Sequence, residues 1–347
     1  MINLKGMNMF RKSLTAAAIC AAFANPGAVL AADAPAEEKK AEETKPPYTL
    51  TGNFGVFSQY IFRGMTQTNG RPAAQGGFDY AHESGFYVGS WMSNISWPKE
   101  NSSLHGGGQG GTNRILGTYE SGGSLEMDFY GGYKWSLPND FGIDVGTLYY
   151  YYPGGTSADY NALARTVVTT FGGAPKLDTW EVYTAGTWKW ASIKYSYSVL
   201  DHTFGALDSR GTGYLDISAN PPIGDTGLTL NLHWGWQKYK GSDVRNCAIG
   251  PVASPTANCT GNGALTYVPS NDQLLSYKDV KVGVTYALPK DFSIGAFWTK
   301  GFGYNKAGYG GVNDLAYGRA GAASASYGPY PKDILSSTAT VFIQKTF

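Results

Sequence analysis

Leu228-Thr229-Leu230-Asn231-Leu232-His233-Trp234-Gly235-Trp236-Gln237-Lys238 puts Leu228, Leu230, Leu232, Trp234 and Trp236 on one face of an extended chain, and Thr229, Asn231, His233 and Gln237 on the other. Successive side chains of a strand point to opposite faces, so this period of two reads as a strand with one apolar and one polar side. Two other stretches repeat it. In 125–135, Leu125, Met127, Phe129, Tyr133 and Trp135 oppose Glu126, Asp128 and Lys134; in 192–200, Ile193, Tyr195, Tyr197 and Val199 oppose Ser192, Lys194, Ser196 and Ser198.

Working outward, segments 50–62, 73–82, 86–95, 125–135, 141–151, 179–190, 192–200, 214–219, 228–238, 277–288, 292–298 and 335–347 have strand character and are separated by turn signals. The chain holds 47 Gly, 25 Tyr, 16 Phe and 9 Trp with 15% charged residues, a composition suited to strands and turns and poor for helices. Alternation also occurs in soluble sandwiches, but here the connections keep a parity. The first, third, fifth, seventh, ninth and eleventh are long or polar, and those between them are short. That is the mark of an antiparallel transmembrane β-barrel of about twelve strands, with short periplasmic turns, long external loops and both termini on the periplasmic side. Low mean hydropathy (−0.25) is no objection, because alternation hides apolarity from window averages.

The ends fit this reading. Lys5, Arg11 and Lys12 precede an apolar run (14–23) and small residues ending at Ala31, the layout of a cleaved signal peptide over 1–31. Cys20 lies inside it and follows Ile19, which argues against a lipid-anchored N-terminus. Residues 32–47 are rich in Ala, Glu, Lys, Thr and Pro and read as a flexible periplasmic leader, with a short binding helix over 37–43 as the alternative. The barrel domain is then 48–347. Its last strand ends at Phe347, similar to the C-terminal aromatic signal read by outer-membrane assembly machinery, although Lys345 departs from the usual pattern. Trp135-Ser136-Leu137-Pro138-Asn139-Asp140-Phe141 and Tyr286-Ala287-Leu288-Pro289-Lys290-Asp291-Phe292 look like one reused hairpin, with Pro presetting a tight turn.

The runs Ser58-Gln59-Tyr60-Ile61-Phe62-Arg63-Gly64-Met65-Thr66-Gln67-Thr68, Pro72-Ala73-Ala74-Gln75-Gly76-Gly77-Phe78-Asp79-Tyr80 and Ser84-Gly85-Phe86-Tyr87-Val88-Gly89-Ser90-Trp91 resemble the TorF family of porins. The resemblance is dense over the first three strands and looser beyond Glu100. It implies an outer-membrane barrel of porin type and brings no catalytic residues and no assigned solute.

If the polar faces line a lumen, that lumen contains Asp79, Glu126, Asp128, Asp144, Glu181, Asp216 and Asp279 against Lys134, Lys189, Lys194 and Lys281, with His233 among them. Acid exceeds base, which favours cations. The competing reading is an internal salt-bridge network that plugs a narrow barrel. Arg63, expected in the first external loop just past the first strand, either turns inward at the pore mouth or pairs with lipid phosphate or a loop carboxylate; Gly64 beside it supplies a turn. Cys247 and Cys259, in the ninth connection, suit a disulfide in an oxidising compartment, and their spacing is not that of paired metal ligands. His82, His105, His202 and His233 fall in no nucleophile motif such as GxSxG, so no enzyme is expected. The Gly-rich stretches at 106–111 and 308–311 are not followed by Lys-Ser/Thr and read as loop punctuation.

A net charge of +1 without a basic cluster in the barrel domain leaves no footprint for nucleic acid. No cofactor or metal is implied. The expected partners are outer-membrane lipid, lipopolysaccharide, the assembly machinery through Phe347, and small solutes or ions. The expectation is a porin-like channel for passive diffusion; the alternative is a plugged barrel whose external loops serve binding or adhesion.

Overall fold

The computed structural model describes residues 46–98, 123–154, 176–242, 270–305 and 333–347. The expected signal peptide (1–31), residues 32–45 of the expected leader, the proposed disulfide cysteines Cys247 and Cys259, His105 and the Gly-rich stretches 106–111 and 308–311 lie outside the described residues.

Twelve strands among the described residues close into one antiparallel barrel. They are β1 (Tyr48–Phe57), β2 (Ala73–His82), β3 (Phe86–Asn94), β4 (Leu125–Ser136), β5 (Phe141–Tyr151), β6 (Thr179–Trp188), β7 (Ala191–Ser198), β8 (Gly213–Ala219), β9 (Leu228–Lys238), β10 (Tyr277–Leu288), β11 (Phe292–Phe302) and β12 (Thr338–Thr346). Each pairs with its neighbours in sequence, and β12 returns to β1 with Asn53 opposite Thr346 and Phe57 opposite Phe342. The seam ends in two backbone hydrogen bonds, from the Gly52 amide to the Phe347 carbonyl (2.6 Å) and from the Phe347 amide to the Gly52 carbonyl (2.9 Å).

The even-numbered strands lead into short turns, at 83–85, 137–140, 189–190, 220–227 and 289–291, and the odd-numbered strands into longer connections at the other end. The two similar hairpins share a backbone device. Asn139 and Asp140 in one, and Lys290 and Asp291 in the other, sit at φ between 60° and 65°, the left-handed pair of a turn that matches strand twist. Proline precedes this pair in both.

The outward face is apolar and bare. Leu50 is 69% exposed, Val341 59% and Phe78 56%, and Phe54, Ile193, Val282 and Ile343 continue the belt. Water would not tolerate so continuous an apolar band, whereas hydrocarbon does, so the barrel crosses a membrane. Aromatic rings rim it. Phe86, Trp135, Phe141, Trp188, Trp190 and Phe292 ring the short-turn end, and Tyr151, Trp180, Tyr197, Trp236 and Trp298 lie toward the other, where amphipathic rings meet the headgroups.

One strand ends earlier than its sequence pattern. The apolar alternation through Tyr60 and Phe62 predicts a first strand to residue 62, facing lipid, yet β1 stops at Phe57 and both rings are buried, at 1% and 6% exposure. The chain turns inward instead. Lys189, expected on the lumen face, is an exposed turn residue at φ 50°, its ammonium 5.1 Å from the Trp188 ring centre. The turn, with Lys189 left-handed, occupies the last two places of the expected strand and removes them from the alternation.

Deleting Phe347 removes the two terminal seam bonds, each worth about 1 kcal/mol net. The expected outcome is a smaller fraction of compact, heat-modifiable barrel on semi-native gels after refolding; wild-type yield would show that the seam closes without them.

Candidate functional site

The connection from β1 to β2 does not stand out from the barrel mouth. Residues 61–62 and 65–66 pair as a two-by-two hairpin whose tip, Arg63-Gly64, has φ of 45° and 77°. A left-handed pair is the signature of the tight hairpin turn, with glycine favoured at its second place. Gly64 is required there twice over: its φ strains any other residue, and a Cβ would lie 2.4 Å from the Asp279 Cβ on β10. A matching tip follows β7, where Phe204 and Gly205 have φ of 48° and 84° between His202–Thr203 and Ala206–Leu207. The Phe62 and Phe204 rings meet edge to face at 5.6 Å, and Phe204 also meets Tyr150 at 5.2 Å.

The first hairpin crosses the lumen. Near its start the Tyr60 hydroxyl donates to Glu126 of β4 at 2.6 Å, and the Tyr60 ring packs on Trp91 of β3. At its tip Arg63 forks onto Glu181 of β6, Nη1 to Oε1 at 3.0 Å and Nη2 to Oε2 at 2.7 Å. Nη1 also donates to Gln237 of β9 at 2.8 Å, and Nη2 to the Tyr150 hydroxyl of β5 at 3.3 Å. The guanidinium carbon lies 4.2 Å from the Tyr214 ring centre on β8 and 4.8 Å from that of Phe62. Arg63 and Glu181 are each 2% exposed at the side chain. Burying such a pair costs several kcal/mol per ion in desolvation, and the four charge-assisted bonds from Nη1 and Nη2, with the aromatic faces beside them, offset that cost.

Toward the short-turn end the wall carries further charge. His233 lies between two carboxylates, Nδ1 3.3 Å from Asp216 and Nε2 2.9 Å from Asp279, with the Tyr214 hydroxyl 3.0 Å from Nε2. Tyr214 reaches this position because residue 235 is glycine; a Cβ there would meet its hydroxyl at 2.0 Å. On the opposite wall the Tyr87 hydroxyl donates to Asp144 at 2.7 Å and contacts the Tyr183 hydroxyl. The Lys194 ammonium sits 3.4 Å from the Tyr183 ring centre and that of Lys134 4.4 Å from the Tyr87 ring centre. Asp79 accepts from Tyr130 at 2.6 Å, and Lys281 lies 5.6 Å from the Phe297 ring centre.

The residues singled out for the lumen and its mouth, Lys189 apart, therefore fall into groups. Arg63 meets Glu181 directly, and Glu126 on β4 holds Tyr60 of the same hairpin; His233 meets Asp216 and Asp279; Asp144, Lys134 and Lys194 gather around Tyr87 and Tyr183; Asp128, Asp79 and Lys281 are inward and buried or half-buried. Arg63 pairs with a strand carboxylate across the barrel, in place of the lipid phosphate or loop carboxylate of the competing sequence reading. Sequence reasoning missed Tyr150, Tyr214 and Phe204, set Gln237 on the polar face without giving it a role, and put Tyr60 and Phe62 on the wrong face. The available signal was the pair Arg63-Gly64 and Phe204-Gly205, each a residue plus glycine between short alternating runs. Among the described residues no group of His, Cys, Asp and Glu is arranged to hold a metal ion.

Comparison with known proteins adds a family. A model described as "Bacterial protein of unknown function (Gcw_chp)" matches residues 41–248, more than half of the chain. No curated protein matches in sequence. Solved structures similar to the chain include the KdgM porin (8% identity, 86% of this chain and 99% of that one, TM-score 0.40). The NanC porin is similar too (10%, 86% and 98%, 0.40), as is the toluene transporter TodX of P. putida (9%, 86% and 89%, 0.38).

Gly64→Ala strains the tip and drives a methyl group into Asp279, costing about 1–3 kcal/mol of hairpin seating. The expected outcome is a barrel with unchanged far-UV circular dichroism that melts at a lower temperature and is cleaved by trypsin after Arg63. Equal protease resistance would show that the tip is not held by this contact.

Proposed function

The chain belongs to the Gcw_chp family of bacterial proteins of unknown function, and we propose that it is an outer-membrane channel for small solutes or ions, constricted by the hairpin of residues 58–72. In this reading residues 1–31 are a cleaved signal peptide, 32–47 a periplasmic leader, and the short turns face the periplasm. The observation that carries it is that charge lines the wall beyond the obstruction. Asp79, Lys134, Asp144, Lys194, Asp216, His233 and Lys281 all lie between the hairpin and the short-turn end. A barrel wall whose inner face is polar and charged along its length suits solute passage, and its hydrocarbon-facing belt supplies the membrane anchorage. Counted over the whole interior, with Glu126, Asp128, Glu181 and Asp279 at the hairpin's level included, acids outnumber bases, which favours cations. The resemblance of the first three strands to TorF-family porins supports the same reading.

A second reading has its own observation. The residues at the hairpin's level, among them Tyr60, Tyr150, Glu126, Glu181 and Gln237, are buried as in a filled core. A barrel plugged in this way would act through its external loops, in binding or adhesion.

Phe57 and Ala73 are directly opposed across β1 and β2, so residues 58–72 can be replaced by Asn-Gly without disturbing the ladder. The refolded wild type is expected to show small stepwise conductance in a planar bilayer, with a reversal potential on the cation side under a salt gradient. The shortened variant should conduct several-fold more. Conduction by the variant alone would favour the plugged barrel; silence from both, with the heat-modifiable barrel verified, would sink the channel reading.

A further inference from the structure

The pocket that holds Arg63 belongs to the wall, whereas its occupant does not. Glu181, Tyr150, Tyr214 and Gln237 project from β6, β5, β8 and β9, each fixed by the barrel ladder. The guanidinium arrives on the tip of a connection whose two-residue strands form a small sheet of their own outside the barrel ladder, with one backbone bond from the Thr66 amide to the Ile334 carbonyl. Removing the tip would leave a carboxylate, an amide oxygen and a phenol aimed at one point, with an aromatic face beneath it. A second feature shows that this pocket has acceptor capacity to spare. Asp128, next to Tyr150 across the β4–β5 ladder and 5% exposed, has a carboxylate oxygen, Oδ1, with no hydrogen-bond partner among the described residues. Glu181 holds the guanidinium itself, and two further buried acids, Asp128 beside Tyr150 and Glu126 on Tyr60, line the adjoining β4 wall.

We propose that this pocket is a recognition site for planar guanidinium-bearing solutes, and that Arg63 is a tethered occupant which such solutes displace. A carboxylate accepts a guanidinium through two parallel bonds, and an aromatic face attracts a delocalised, weakly hydrated cation. An alkylammonium matches the charge but not the fork. The tether keeps Arg63 at high effective concentration, so a free solute competes poorly with it until the hairpin lifts. When the solute wins, the hairpin loses its deepest anchor, and the same event fills the site and clears the lumen. This deepens the channel reading by naming its solute class, while the binding itself rests on the pocket alone.

The test uses Arg63→Ala in the full chain, refolded in detergent, with methylguanidinium as probe and methylammonium and potassium as controls. Millimolar methylguanidinium should raise the melting temperature of Arg63→Ala, with an apparent affinity about tenfold better than that of methylammonium, the gain of a bidentate over a point-charge contact. The rise should vanish in Arg63→Ala/Glu181→Gln, and wild type should respond only at several-fold higher concentration. If Arg63→Ala folds poorly, refolding yield becomes the readout, and methylguanidinium but not methylammonium should restore it. Equal responses to the two cations, a response that survives Glu181→Gln, or no response by either readout would overturn the proposal. Conductance does not enter the measurement, so a silent barrel that binds the probe would reject the channel and keep the site.

Discussion

A strand in hydrocarbon has no water to satisfy its edge, so every backbone amide and carbonyl must find a partner on a neighbouring strand. That constraint governs the rest of this structure. It forces the sheet to close on itself through β1 and β12, and an antiparallel sheet that closes needs an even number of strands. Even closure brings Tyr48 and Phe347 to one end, gathers the short turns there, and leaves the long connections at the other. The outward residues are then free of any packing requirement except apolarity, which explains how Leu, Val, Ile, Phe, Tyr and Trp can all serve there.

Inside, the demand is reversed. A wall that shows every second residue to a narrow interior buries carboxylates, amides and phenols at close quarters, and each such group is costly when its bonds are unmade. The strands satisfy part of this themselves, as in the His233 group with Asp216 and Asp279. At the level of Glu181 the wall supplies a carboxylate, an amide oxygen and a phenol, and the first connection brings a guanidinium that meets all three. Arg63 and Tyr60 are thus better understood as completing the interior than as obstructing it, and the tightness of the turn at Gly64 follows from how closely the tip approaches Asp279.

The barrel was legible because it rests on a local property. Twelve alternating segments and the parity of the connections can be counted along the chain, and the ladder fixes everything that follows from them. The inward position of Glu126, Asp128, Glu181 and Asp279 was legible for the same reason. The hairpin was not. Tyr60-Ile61-Phe62 continues the alternation of β1 without a break, and the change of direction depends on contacts with β4, β6, β9 and β10, distant in sequence. An apolar ring reads the same whether it meets a lipid chain or Tyr150, and an arginine in a loop reads the same whether it meets solvent or a buried carboxylate. Only the residue-glycine tips at 63–64 and 204–205 carried local information, and that was about turning, with nothing on where the turn would rest.

The bonds from Arg63 reach β5 and β6 on one side of the barrel and β9 on another, and Gly64 abuts β10. In mechanical terms the hairpin is a spoke. A thin cylinder held only at its circumference flattens readily under uneven lateral pressure, because bending the wall stretches no bond. A spoke tied to well-separated points on the rim turns that soft flattening into a deformation that must lengthen charged hydrogen bonds, so this tube keeps a round section in a membrane that is never still.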